Sequence, residues 1–167
     1  MRKIELLAKL HDREKFDCGS EPLNAYLKQT ARQHAARGIS QTFVLVDEDT
    51  AEPKPILGFF SLNICQVISE SLSPEEAKKL PRKVSAVRLG RLAVAREYQR
   101  QGLGKELLVS AMEKFLEIFS RAGGIGLFVD AKDDEAKRYY ERFGFVSLPA
   151  NPLELFLPLR TIQEALH

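Results

Sequence analysis

The sequence predicts a mixed α/β (α+β) fold, a central sheet with helices on both faces. Three observations predict it. Helical patterning comes early, strand-like segments then form a meander, and the second half alternates β-α-β-α-β. Leu103, Leu107, Ala111, Phe115 and Phe119 recur every four residues and mark a long amphipathic helix in that second half. The 167 residues are 44% hydrophobic and 29% charged, an ordinary globular composition. A chain of that length buries about 70% of its unfolded surface, so residues 1–167 are expected to form a single domain.

Each element follows from local chemistry. Residues 4–10 read as a first strand. Ser20 is a helix N-cap with Pro22 in the first turn, Leu23, Tyr26 and Leu27 follow at helical spacing, and the helix runs to Arg37 before Gly38 stops it. Residues 41–46 and 56–65 are rich in branched and aromatic side chains and read as strands. The polar stretch 47–55, with Pro53 and Pro55, is the hairpin loop between them. Ser73-Pro74 starts a short helix to Leu80. Residues 84–94 are strand-like, but alternation breaks around Gly90, which indicates a bulge or a close backbone approach. Along the long helix Lys105, Glu106, Glu113, Lys114 and Glu117 fill the polar face, and Gly123-Gly124 ends it. Residues 125–129 are a short buried strand. Asp133 or Asp134 caps a helix on which Ala136, Tyr139, Tyr140 and Phe143 share a face, and Gly144 is placed to take the left-handed closing position. Residues 145–148 and 153–159 are closing strands.

Composition excludes several classes. Two cysteines, Cys18 and Cys65, build neither a disulfide scaffold nor a four-thiolate zinc site. The three histidines, His11, His34 and His167, are not at ligand spacing from a cysteine, so no metal is expected. No apolar run approaches the ~20 residues of a membrane span, and the charged N-terminus does not read as a secretory signal. A cytoplasmic protein with reduced thiols is expected. The net charge of +2 is too small to indicate a nucleic-acid partner by itself.

The segment from Val94 to Lys105 carries the chemistry. A strand ends, a polar loop follows, and Gly102 and Gly104 open a helix flanked by Arg100 and Lys105. A helix N-terminus offers unpaired N–H groups and partial positive charge, and glycines let an anion approach closely, so this is a phosphate or pyrophosphate site. The spacing is wrong for a Walker loop or a dinucleotide fingerprint. Taken alone, the two glycines serve equally well as a tightly packed helix start.

Gln99-x-x-Gly102-x-Gly104 resembles the acetyl-CoA signature of the GNAT N-acetyltransferases. Ala136-Lys137-Arg138-Tyr139-Tyr140-Glu141-Arg142-Phe143-Gly144-Phe145 is similar to that family's final helix, in the right order and at a separation that suits one helix and one strand. A narrower resemblance covers nearly the whole chain. Phe16-Asp17-Cys18-Gly19, Leu23-Asn24-Ala25-Tyr26-Leu27, Leu89-Gly90-Arg91-Leu92-Ala93-Val94, Val129-Asp130-Ala131 and Leu155-Phe156-Leu157-Pro158 look like the GNAT toxins of bacterial toxin–antitoxin pairs.

The resemblance implies a GNAT acyl-CoA N-acyltransferase fold and transfer of acetyl from acetyl-CoA, with no metal, to the amino group of aminoacyl-tRNA, which blocks translation. It also implies a ribbon-helix-helix antitoxin and a homodimer. By the same resemblance Tyr140 is the proton donor to the departing thiolate, although a core aromatic on a helical face is its competing reading. Backbone groups of Leu92 and Val94 are expected to pair with the pantetheine arm. Gln99, Arg100, Gln101, Gly102, Gly104 and Lys105 are expected to hold the pyrophosphate. Arg82, Lys83, Arg88 and Arg91, with Arg96, form a basic stretch that would contact tRNA phosphates if they share one side; a solvated face is the alternative. Many relatives outside the toxin group place a glutamate base on the fourth strand. This strand has Arg88 and Arg91 and no carboxylate. A small-molecule or protein amine as acceptor, and a catalytically silent acyl-CoA binder, are the competing functions.

Overall fold

The computed structural model describes residues 1–166, so His167 lies outside the described residues. In chain order the elements are β1 (Arg2–Leu6), β2 (His11–Asp12), α1 (Glu21–Ala25), a π-helical turn (Tyr26–Thr30), α2 (Ala31–Ala36), β3 (Gln41–Asp47), β4 (Lys54–Pro55), β5 (Gly58–Ile68), α3 (Pro74–Ala77), β6 (Lys83–Val94), α4 (Leu103–Ala122), β7 (Gly126–Asp130), α5 (Asp134–Glu141), β8 (Val146–Leu148), β9 (Asn151–Pro158) and α6 (Leu159–Ala165). Seven strands follow the order β1-β3-β5-β6-β7-β9-β8, and β2 and β4 form a separate ladder. The β6–β7 pair is parallel, whereas β1–β3, β3–β5, β7–β9 and β8–β9 are antiparallel, so the sheet is mixed as expected.

The backbone groups into two compact units. The first comprises Met1–Asn63 and Gly90–Ala111. Its core joins Tyr26, Leu27 and Ala31 of the helical segment to Val44, Val46 and Phe59 of the sheet, with Phe16, Ile56, Ala93 and Ala95. Phe16 meets Phe59 edge-on at 5.5 Å, and Tyr26 stacks on Phe59 at 6.3 Å. Strand alternation turns Gly58 to the face opposite Phe59. There Leu107 of α4 comes so close that a Cβ on Gly58 would lie 2.8 Å from its Cδ1 and 2.9 Å from the Ala93 carbonyl oxygen. Helices therefore cover both faces of this part of the sheet.

The second unit runs over residues 64–89 and from 112 onward. Val67, Leu72, Ala86, Phe128, Leu148 and Phe156 form its core cluster, with Phe128 and Phe156 stacked at 4.7 Å. The β6–β7 pairing comprises Val87 with Leu127, Arg88 with Phe128 and Leu89 with Val129.

Helix ends match the local signals. Ser20 accepts from the Leu23 N–H, Ser73 from Glu76 and Asp133 from Ala136. Gly38 takes φ +72° and Gly123 φ +85°. Several features depart from expectation. β1 leaves the sheet after Leu6, because the His11 ring accepts the Ala8 N–H at 2.9 Å and turns the chain. The first helix contains the π-helical turn. The third helix is a single turn, Pro74–Ala77, and does not reach Leu80 as a helix. The chain closes not on a strand but on α6, anchored by the fully buried Ile162. Gly90 shows the close approach: a Cβ there would lie 3.1 Å from the Ser61 hydroxyl. Cys65 lies inside β5, not at a strand end, half-buried against the second unit's core.

Candidate active site

In the first unit the glycine loop is tied to the N-terminal segment. The Gln99 side-chain amide donates to the Cys18 carbonyl at 3.0 Å and to the Val94 carbonyl at 2.9 Å. The Arg96 N–H donates to the Asp17 carbonyl at 2.8 Å. Asn24, buried at the start of the helical segment, accepts from the Cys18 N–H at 2.9 Å and from its thiol at 3.2 Å, and donates to Asp17 Oδ1 at 3.0 Å. Burial pushes the Cys18 thiol above its ordinary pKa, which fits a structural residue and not a nucleophile.

Beyond Gln99 the backbone opens. Arg100 takes φ +65° and Gly102 φ +81°. The first hydrogen bond of α4 runs from the Glu106 N–H to the Gly102 carbonyl at 3.3 Å. Among the described residues no N–H from Arg100 to Lys105 has an acceptor. These are the orphan donors of a helix start, with the side chains of Arg100 and Lys105 exposed beside them. The loop thus offers a row of donors to an anion, and Gly102 and Gly104 leave that row uncovered. Gln99 has a different part. Its amide and its N–H, which bonds the Arg96 carbonyl at 3.3 Å, are both used inside the loop, so it shapes the cradle and is not free to donate to the pyrophosphate. Gln101 reaches back to the Glu97 carbonyl at 3.5 Å. Leu92 and Val94 are half-buried on β6, and the Val94 carbonyl is already accepting from Gln99.

Tyr140 belongs to the second unit. Asp133 starts its helix, and Gly144 at φ +96° closes it. The Phe145 N–H returns to the Tyr140 carbonyl and the Gly144 N–H to that of Glu141, at 3.4 and 3.1 Å, a Schellman closure. The Tyr140 ring packs edge-on against Tyr139 at 5.5 Å and Phe145 at 5.4 Å. Burial pushes its hydroxyl up to about 12. The hydroxyl has no hydrogen-bond partner among the described residues. No side-chain oxygen or nitrogen of those residues is buried without one, so it keeps contact with solvent.

The basic stretch is not a row of free cations. Arg88 is paired with Asp130 at 3.0 Å and Glu154 at 2.9 Å, which removes it as a phosphate ligand. Arg91 lies 3.7 Å above the Tyr26 ring and has no carboxylate partner among the described residues. Arg82 and Lys83 are exposed, and Arg82 has only a loose 3.7 Å contact with Glu70. Arg96 faces Asp17 at 3.8 Å. Asp17 and Asn24, which hold the loop, carry roles that local sequence reading missed; their place in the toxin-like N-terminal motif was the available signal. Among the described residues no group of three or more His, Cys, Asp or Glu side chains could hold a metal, and no helix is long and apolar enough to cross a membrane.

Comparison with known proteins follows the same lines. The acetyltransferase (GNAT) family model matches residues 4–145. A tRNA-acetylating toxin of Mycobacterium tuberculosis is 30% identical over 87% of this chain and 84% of its own. The structure of AtaT complexed with acetyl-methionyl-tRNAfMet is 30% identical, covers 100% of both chains and superposes with a TM-score of 0.91. A mutant AtaT toxin bound to the C-terminus of the antitoxin AtaR and acetyl-CoA is 28% identical over 99% of this chain and 98% of its own, with a TM-score of 0.82. With two motifs in register, a mixed seven-stranded sheet and a family match along most of its length, the chain belongs to the GNAT acetyltransferases.

Proposed function

We propose that residues 1–167 form one acetyltransferase domain that moves the acetyl group of acetyl-CoA to the α-amino group of aminoacyl-tRNA, and so acts as a translation-blocking toxin in the cytoplasm. The observation that carries this is likeness over most of the chain to a tRNA-acetylating toxin and over all of it to a toxin complexed with acetyl-methionyl-tRNAfMet. The antitoxin-bound relative supports an antitoxin partner, here of ribbon-helix-helix type, and a homodimer is the expected assembly.

Acetyl-CoA supplies an acetyl group activated as a thioester. The free N–H groups from Arg100 to Lys105 suit its pyrophosphate, with Arg100 and Lys105 adding charge. Gln99 and Asn24 hold that loop in shape, and the β6 backbone at Leu92 and Val94 is assigned to the pantetheine arm. In the transfer the acceptor nitrogen forms a C–N bond, the C–S bond breaks, and the proton shed by nitrogen balances the thiolate. The Tyr140 hydroxyl is assigned to the departing sulfur. At about 12 it is a weaker acid than a thiol of about 8.5. Full proton transfer to sulfur is therefore uphill, and Tyr140 acts by donating a hydrogen bond to the developing charge. Arg91, Arg82 and Lys83 are left for tRNA contacts, Arg91 with its guanidinium pre-oriented on Tyr26.

The test is transfer of labelled acetyl to bulk charged tRNA, with deacylated tRNA, free amines and proteins as controls. Label on charged tRNA alone is the expected result. Label on small amines or proteins but on no tRNA refutes the acceptor assignment, and no transfer to any acceptor with acetyl-CoA still bound refutes the enzyme.

A further inference from the structure

Two acidic side chains stand opposite each other at the end of β7: Asp130 and Glu154 are register partners across β7 and β9. Like charges in that arrangement repel. Arg88 supplies the counter-charge. Its Nη2 donates to Glu154 Oε2 at 2.9 Å and its Nη1 to Asp130 Oδ2 at 3.0 Å, while the guanidinium lies 5.7 Å from the centre of the Phe128 ring.

The two carboxylates are not equivalent. The Glu154 side chain is 22% exposed and the Asp130 side chain 67%. One carboxylate is enough to neutralise a half-buried guanidinium, and Glu154, the more buried, fills that need. Asp130 is a surplus anion, and only its Oδ2 is used; Oδ1 has no partner among the described residues. Its position is equally specific. The β6–β7 ladder ends at Leu89 and Val129, one residue before Asp130. Asp130 thus stands one residue past the last β6–β7 pair, at the carboxyl end of β7, and carboxyl ends of strands are where open α/β sheets take ligands. The same segment runs on through Asp133, the cap of α5, to Tyr140.

We infer that Asp130 binds the acceptor amine, its Oδ1 accepting a hydrogen bond from the amino group to be acetylated. Arg88 is the positioning residue that fixes the carboxylate, and Glu154 anchors Arg88. This rests on the aminoacyl-tRNA reading and adds to it the residue that selects an amine over a hydroxyl. An amino group offers two or three donors and, when protonated, a charge, whereas a hydroxyl offers one donor and no charge. The role is binding and orientation, with no proton transfer to Asp130.

The experiment compares charged tRNA with the same tRNA esterified by the matching α-hydroxy acid. Affinity for each is measured without acetyl-CoA, and acetylation kinetics are measured on the charged form. The wild-type chain should prefer the amino ester by about tenfold or more. Asp130→Asn keeps the shape and the Arg88–Glu154 pair. It should reduce the preference to about twofold and raise KM about tenfold, with kcat and the melting midpoint little changed. Arg88→Met should weaken the preference in the same direction by freeing the carboxylate. An Asp130→Asn chain that keeps the wild-type preference and KM overturns the inference while leaving the acceptor assignment intact. If the wild-type chain acetylates a small amine and not charged tRNA, the acceptor assignment falls. The same comparison of that amine with its alcohol then decides on Asp130.

Discussion

Replacing Tyr140 by Phe removes one oxygen and separates the chemical role of this residue from its packing role. The hydroxyl has no partner among the described residues, so its loss leaves no protein group unsatisfied. The ring keeps its edge-on contacts at 5.5 Å to Tyr139 and 5.4 Å to Phe145, and the Schellman closure uses only backbone. Stability should therefore change by no more than about 0.5 kcal/mol, a shift of about 2 °C or less in the melting midpoint. Acetyl-CoA affinity should hold within about twofold, because the donors proposed for the pyrophosphate are backbone groups of another segment. Turnover should not hold. A donor aimed at charge that develops only in the transition state contributes about 3–4 kcal/mol, or a factor of about 100–1000 in kcat. The raised pKa adds a second signature. With the hydroxyl at about 12, the wild-type rate should show no falling limb from Tyr140 as pH rises from neutrality through about 10. The assay is steady-state acetylation of charged tRNA across pH, with calorimetric titration of acetyl-CoA and a thermal melt on the same preparations. Turnover within threefold of wild type would refute the reasoning. So would a loss of turnover that arrives with a collapsed melting midpoint, because the ring and not the hydroxyl would then be what mattered.

Three further changes follow from the packing and the charges. Gly58→Ala places a methyl 2.8 Å from Leu107 Cδ1 and 2.9 Å from the Ala93 carbonyl, and the backbone oxygen has little room to move. Chemical denaturation should show a loss of about 1–3 kcal/mol, and an unchanged midpoint would mean that α4 is free to shift. Asn24→Ala removes the acceptor of the Cys18 N–H and thiol and the donor to Asp17, from a residue only 3% exposed. It should cost about 1–3 kcal/mol and raise KM for acetyl-CoA through the loosened loop, whereas a KM equal to wild type would uncouple the two. The hydrogen bond from His11, with Lys54 beside it, holds the Glu5 carboxyl below its ordinary pKa. A carboxylate whose folded pKa is depressed stabilises the fold above its unfolded value of about 4.3, and that stability is lost as pH falls through the folded value. Urea midpoints should therefore drop below about pH 4.3 with a slope that Glu5→Gln flattens; equal slopes would assign the acid sensitivity elsewhere.

The parts of this molecule that sequence reading reached are those decided within a few residues of chain. Ser20, Ser73 and Asp133 each cap a helix through an N–H three residues away, and Gly38 and Gly144 close theirs through their own φ. The row of unpaired N–H groups proposed to hold the pyrophosphate belongs to this class, because unpaired donors are a backbone property of any helix start and two glycines keep them uncovered. The early end of β1 also turns on short range, but on a ring accepting a backbone N–H, which residue type alone does not announce. Side-chain commitments made across the sheet are a different matter. Gln99 is a donor by residue type, yet its amide is used on Cys18, 81 residues earlier, and so is lost to a ligand. Arg88 counts as one cation of a basic stretch until its partners, 42 and 66 residues later in the chain, are in place. A run of arginines along a strand thus overstates the charge available to a polyanion by as many as find carboxylates on neighbouring strands. Arg91, stacked on Tyr26 with no carboxylate partner among the described residues, keeps its charge available, and Arg88 does not. What Arg88 gains is Asp130, a carboxylate held in place at the carboxyl end of β7. β6 has no acid of its own, and the carboxylate its arginine holds stands on the neighbouring strand β7.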